Sequence, residues 1–162
     1  MIEIKPGISK KKSNQIIYEP IKTKITSIQR GKFSIQEAGP GGSLAFETEL
    51  DPVLTKADSL AGCVASLEGK LPEISNRIKI KYKLFPEVLG EEKKTKTEPL
   101  KHDELILLSV NTTTTVGQII NIKEDEIEVD LRIPIVPIKR DSLGLARNIR
   151  GHWRLIGWGE VL

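Results

Sequence analysis

Residues 77–84 read RIKIKYKL and residues 126–133 read EIEVDLRI. In both, apolar and polar side chains alternate, the period of a strand with one face in a core and the other in water. The same period of two runs through IEIK (2–5), IKTKITSI (21–28) and FSIQ (33–36). ELILLSV (104–110) and WRLIGWGEV (153–161) are more continuously apolar, which predicts strands covered on both sides. Turn signals separate these runs: Pro6-Gly7, Arg30-Gly31, GPGG (39–42), Asp51-Pro52, Leu71-Pro72 and Leu89-Gly90. A short helical turn fits 53–60, with Asp51 or Thr55 as its cap, and no segment has the pattern of a long amphipathic helix. About ten short strands at this spacing predict an all-β chain of one or two antiparallel barrels.

The composition, 38% hydrophobic and 29% charged over 162 residues, predicts a folded soluble protein. No apolar run reaches the roughly 20 residues that span a membrane, and Met1 leads into charged sequence rather than a signal peptide. One cysteine, Cys63, leaves no intramolecular disulfide and suits a reducing, cytoplasmic compartment. The net charge of +3 is unevenly spread. Residues 1–36 hold eight basic side chains against Glu3 and Glu19, whereas the remainder is slightly acidic. A basic end on a near-neutral body points to an anionic partner.

EGKLPEIS (68–75) is the natural boundary, because Pro72 opens a polar connector after an apolar strand. GEEKKTKTEP (90–99) reads as an exposed charged loop and TTTT (112–115) as a strand end or turn. LDPVLTKAD (50–58) ends in a Thr-Lys-x-Asp quartet of the kind that reads guanine, but no Gly-x4-Gly-Lys-Ser/Thr loop accompanies it. GPGGSLAF lacks the lysine and runs into strand-like sequence, so no helix N-terminus is there to hold phosphate. His102 and His152 have no metal-ligand spacing with Cys63, and Cys63 lies in the apolar run LAGCVASL as a buried inert thiol. No carboxylate pair stands out for acid–base work, and no cofactor is implied. Base stacking would need exposed aromatics among basic residues; there are seven aromatics, and Trp153 and Trp158 read as core. Backbone-directed binding through Lys10, Lys11, Lys12 or Arg147, Arg150, Arg154 stays open.

EIKPGI, YEPIKTKITSI, AGPGG, ELDPVLTKADSLAG, IKIKYKL, EPLKHDELILLSV, TTTTVG, EIEVDLRIPI and above all GHWRLIGWG occur in this order over nearly the whole chain. This series resembles the gamma subunit of archaeal and eukaryotic translation initiation factor two. The family is built like elongation factor Tu, with a GTP-binding domain followed by two β-barrels, and carries initiator methionyl-tRNA to the small ribosomal subunit. The resemblance implies that residues 1–70 form an incomplete second-domain barrel and residues 73–162 a complete Greek-key third-domain barrel. It places LDPVLTKAD in a barrel rather than a nucleotide site, and leaves GTP chemistry outside this chain.

The resemblance also implies partners: tRNA or ribosomal RNA, the factor's alpha subunit, or a separate GTP-binding half. Gly41 and Gly42 would approach a tRNA 3′ end, and the turn Gln29, Arg30, Gly31, Lys32 resembles a loop that docks the alpha subunit. Phe46 and Glu47 depart from the family pattern, setting bulk and negative charge beside the glycine turn. The resulting expectation is a non-catalytic translation module that binds tRNA, ribosome or a factor partner. The alternative is an interaction scaffold, either half of a split gamma subunit or a paralogue without tRNA binding. Because the first strands of the second barrel are not in the chain, IEIKPG (2–7) is expected at an unpaired edge open to self-association, with SKKKSN (9–14) as a basic loop after it.

Overall fold

The computed structural model describes residues 1–13, 15–91 and 94–162. Asn14 at the end of SKKKSN, and Glu92 and Lys93 within GEEKKTKTEP, therefore lie outside the described residues. The chain separates into two compact units, Met1–Leu71 and Pro72–Leu162. Strands dominate both. Among the described residues there are twelve rather than ten, and no helix is long and apolar enough to cross a membrane.

The second unit is built from β7 (Ser75–Leu84), β8 (Leu105–Val110), β9 (Thr113–Lys123), β10 (Glu126–Ile135), β11 (Ser142–Ile149) and β12 (His152–Val161). They close into a six-stranded antiparallel barrel in the order β10-β7-β12-β11-β8-β9. The alternation that opens the sequence is the reason. In β7, Ile78 and Ile80 point inward and Lys79 and Lys81 outward; in β10, Ile127, Val129 and Leu131 point inward. Ile106, Leu108, Ile119, Leu145 and Ile156 complete an interior without solvent contact. Thr115 is the polar exception inside. Its Oγ1 accepts from the Ile133 amide at 3.0 Å and donates to the Ile133 carbonyl at 3.1 Å, where the β10–β7 register shifts.

Full closure leaves each strand one buried face, and this corrects the expectation that 104–110 and 153–161 are covered on both sides. Leu105, Trp153, Leu155 and Trp158 face outward and are exposed. Trp153 and Trp158 are therefore not core residues. A closed single-layer barrel has no second sheet to cover its outside. GEEKKTKTEP is less open than expected: the Val88 amide donates to Thr95, that of Thr97 to Pro86, and Thr97 is buried.

The first unit holds two small antiparallel sheets. One runs β2-β1-β6, from β2 (Gln15–Thr23), β1 (Ile2–Lys12) and β6 (Val64–Leu67); the other runs β4-β3-β5, from β4 (Phe33–Ile35), β3 (Ile25–Arg30) and β5 (Ala45–Thr48). IKTKITSI is two strands, broken at Lys24 and shared between the sheets. Pro52–Asp58 is a 3₁₀ segment broken by a kink at Lys56 and Ala57, within TKAD, and the Asp51 carboxylate accepts from the Val53 amide as its cap. The Cys63 thiol precedes β6 rather than lying within an apolar strand, and donates to the Gly7 carbonyl at 3.7 Å. Burial raises its pKa.

IEIKPG is not an edge. β1 is the central strand of its sheet: Ile2 faces Thr23 of β2 on one side and Leu67 of β6 on the other, and Lys5 faces Val64. The later segment 64–67 supplies the neighbour that the first strands of the second barrel were expected to provide. Nor is SKKKSN a loop as far as it is described, since Ser9–Lys12 pair with Tyr18–Gln15 of β2. The sheet's polar anchor is Glu3. Its carboxylate accepts from the Leu71 amide at 2.8 Å, while the Lys5 ammonium lies 3.8 Å from it and donates to the Leu71 carbonyl. The Leu71 amide, then those of Gly69 and Lys70 and the Lys5 charge, hold the Glu3 carboxyl below its ordinary 4.5 against the opposing effect of desolvation.

Two expected outcomes test this account. A Cβ at Gly159 would sit 2.6 Å from Ile80 Cγ2 and 2.7 Å from the Lys81 carbonyl oxygen. Gly159→Ala should cost about 1–3 kcal/mol in urea unfolding, whereas Gly39→Ala, with open space around it, should cost nothing measurable. A depressed carboxyl pKa stabilises above the unfolded value and loses that contribution as pH falls through the folded one. Melting of the first unit should therefore weaken as pH drops below about 4.5, and Glu3→Gln should flatten that dependence; an unchanged profile would remove Glu3 as the anchor.

Candidate functional site

The residues singled out from the sequence fall at four places. Lys10, Lys11 and Lys12 form the far end of the β1–β2 ribbon, all exposed. Strand alternation sends Lys10 and Lys12 to one side and Lys11 to the other. Lys10 pairs with Glu19 at 2.6 Å, while Lys11 and Lys12 have no carboxylate partner among the described residues. An exposed pair of this kind contributes little to stability, so Lys10 is readily re-partnered.

Gly41 and Gly42 lie in the bend between β4 and β5 with φ of 101° and 79°, a region closed to most L side chains. Open space surrounds both. Nearby on β5, Phe46 faces Ile28 and stays exposed, while Glu47 accepts a 2.8 Å hydrogen bond from Ser27 Oγ. The Glu47 charge is thus tied locally rather than pointed freely at the turn.

Gln29, Arg30, Gly31 and Lys32 make the β3–β4 hairpin, with Gly31 at φ 63°. Arg30 faces Phe33 across the turn, and Phe33 is 76% exposed. Cross-strand partners share a face, so Arg30, Phe33, Ile28, Ile35 and Phe46 lie on one side of the small sheet.

The three arginines of the barrel do not form a set. Arg147 is committed within the fold: Nε and NH2 grip the Glu104 carboxylate, and NH1 and NH2 donate to the Glu98 and Pro99 carbonyls at 3.0 and 3.1 Å. This fork clamps the 98–104 connection to β11. Arg154 is half-buried opposite Arg147, against Gly90, and its Nε has no partner among the described residues. Arg150 alone is fully presented, at the β11–β12 turn, where the Gly151 amide donates to Asn148 Oδ1.

The outward tryptophans are the residues that sequence reading missed. In Trp158-Gly159-Glu160-Val161, strict alternation sets Trp158 on the side of Glu160, a signal that the apolar density of the stretch hides.

A family described as "Initiation factor eIF2 gamma, C terminal" matches residues 76–161, from the start of β7 to the end of β12. The chain belongs to this family. It is 43% identical over 160 residues to a translation initiation factor 2 subunit gamma of Pyrococcus horikoshii, covering 99% of this chain and 39% of that protein. The subunits gamma of Methanococcus aeolicus and Aeropyrum pernix are 44% and 42% identical over 160 and 161 residues, with the same shares. The chain thus spans about two fifths of the length of these curated relatives. What the eIF2 gamma match covers is the closed barrel, a C-terminal domain and not a GTPase domain.

The arginine geometry separates support from binding. Arg147→Ala should lower barrel stability by about 3 kcal/mol, since it leaves the mostly buried Glu104 carboxylate without its counter-charge and with only the Lys101 amide as donor. Arg150→Ala should leave the melting temperature unchanged. Equal melting of the two variants would contradict the clamp.

Proposed function

We propose that this chain is a non-catalytic module of translation initiation that binds structured RNA, tRNA or ribosomal RNA, through the exposed basic ribbon of the first unit. On this reading residues 1–70 correspond to the later part of a second-domain barrel and 73–162 to a third-domain barrel, working in the cytoplasm. Membership of the eIF2 gamma family supports the setting. The observation that carries the binding reading is Lys10–Lys12, three exposed ammonium groups at the tip of a two-stranded ribbon. Such a tip reaches phosphates without desolvating a core, and affinity then comes from counterion release.

A second reading is a protein-interaction scaffold that docks an alpha subunit or a separate GTP-binding half. The exposed face bearing Phe33, Phe46 and Arg30 at the β3–β4 hairpin favours it. Guanine nucleotide has no place in either reading.

Cosedimentation with small ribosomal subunits, and filter binding of initiator tRNA, decide between them. On the first reading affinity falls steeply with salt, with a log–log slope of about −0.7 to −0.9 per phosphate neutralised, the smaller value for single strands and the larger for a duplex. Changing Lys10, Lys11 and Lys12 to Glu should then abolish binding at moderate salt. Binding that survives the triple change but is lost with Phe33→Glu would favour the scaffold.

A further inference from the structure

The outside of the barrel between β7 and β12 carries a cavity of about 520 Å³ lined by Lys81, Tyr82, Lys83, Asp125, Trp158 and Glu160. Its volume is that of a small-ligand site. The register arranges the lining: Trp158 stands opposite Lys83, and Glu160 opposite Lys81. On the other flank of Trp158 is Gly144 of β11, which has no side chain to cover the indole. The ring is left 43% exposed.

The charges around it are not equivalent. Lys81 is held by Asp125 at 3.2 Å. Lys83 and Glu160 have no ionic partner among the described residues. The cavity therefore offers an open aromatic face, an uncommitted ammonium beside it, and an uncommitted carboxylate two residues along the same side of β12. A protein anchor residue is normally ringed by apolar contacts. The cavity that Trp158 lines has Tyr82 as its second aromatic but is otherwise charged, with Lys81, Lys83, Asp125 and Glu160, which suits a flat ligand carrying its own charges.

The geometry points to a binding site for one unpaired nucleotide of an RNA strand. The base stacks on Trp158, the adjoining phosphate pairs with Lys83, and Glu160 accepts a hydrogen bond from an exocyclic amino group. Uracil has no such amino group, so an amino-bearing base such as cytosine is preferred to uracil. The site lies in the second unit, apart in sequence from the Lys10–Lys12 ribbon, and it rests on the reading above only in taking RNA as the partner.

The test uses the full chain carrying Trp153→Phe, so that Trp158 is its one indole, with oligocytidylate and oligouridylate hexanucleotides as probes at low salt. Oligocytidylate should quench Trp158 emission, and Trp158→Ala should weaken binding, followed by labelled oligonucleotide, about tenfold. Lys83→Glu should weaken it similarly. Trp158→Phe, which keeps an aromatic face, should retain most of the affinity, and Glu160→Ala, which removes the acceptor, should erase the preference over oligouridylate. All three side chains are exposed, and a melting curve on each variant verifies folding. Emission indifferent to both oligonucleotides would overturn the site. So would affinity unchanged by Trp158→Ala but lost with Lys83→Glu, the result of charge attraction without stacking. Ribosome cosedimentation without quenching would defeat this site alone; quenching in a chain that does not cosediment would defeat only the earlier reading.

Discussion

Closure of the β7–β12 sheet decides which side chain of every alternating pair is dry. Once β9 and β10 pair and the ring is complete, there is a single interior, and Ile80, Ile106, Leu108, Ile119, Leu145 and Ile156 fill it. Glycine sets how near the strands come: Gly117, Gly157 and Gly159 each occupy a place where a Cβ would strike a neighbouring backbone oxygen. The outward residues are released from packing by the same closure. That release puts Trp153, Leu155 and Trp158 in water and makes the outer wall available for recognition.

The first unit shows the opposite regime. Among the described residues, its buried apolar side chains are few, chiefly Ile4 and Ile21, while Ile16, Phe33, Phe46, Val53 and Leu67 are exposed. Its two three-stranded sheets hold through backbone pairing and through the polar anchor of Glu3 and Lys5 at Leu71. Such a unit is weakly cored, and its exposed apolar and basic side chains are suited to meeting partners rather than to supporting a rigid site. The barrel, clamped by Arg147 at Glu104, is the rigid half.

Charge follows the same division. The basic excess of residues 1–36 is gathered at the ribbon tip, on Lys10–Lys12, and at the hairpin carrying Arg30 and Lys32. In the barrel several charges are spent on neighbours: Arg147 on Glu104, Lys81 on Asp125, Lys101 on Glu98. Arg150, Lys83 and Glu160 are among the barrel charges that have no ionic partner among the described residues.

Local alternation by itself determined that the chain is all-β, and RIKIKYKL and EIEVDLRI announced their inner and outer faces directly, because a strand's period of two is a property of the backbone. The ordered series ending in GHWRLIGWG likewise carried the family without any coordinates. Pairing was not legible, because a neighbour in a sheet can come from anywhere along the chain. IEIKPG looked like an edge until Val64–Leu67 was seen beside it, and no local pattern links residues 2–5 to 64–67. The fate of the arginines was equally hidden: Arg147 and Arg150 are three residues apart, yet one is locked to Glu104 and the other stands at a turn. The exposure of Trp158 depended on the last step of all. An apolar strand buries both faces between two layers and one face in a barrel, and only the closing of the ring chose between them.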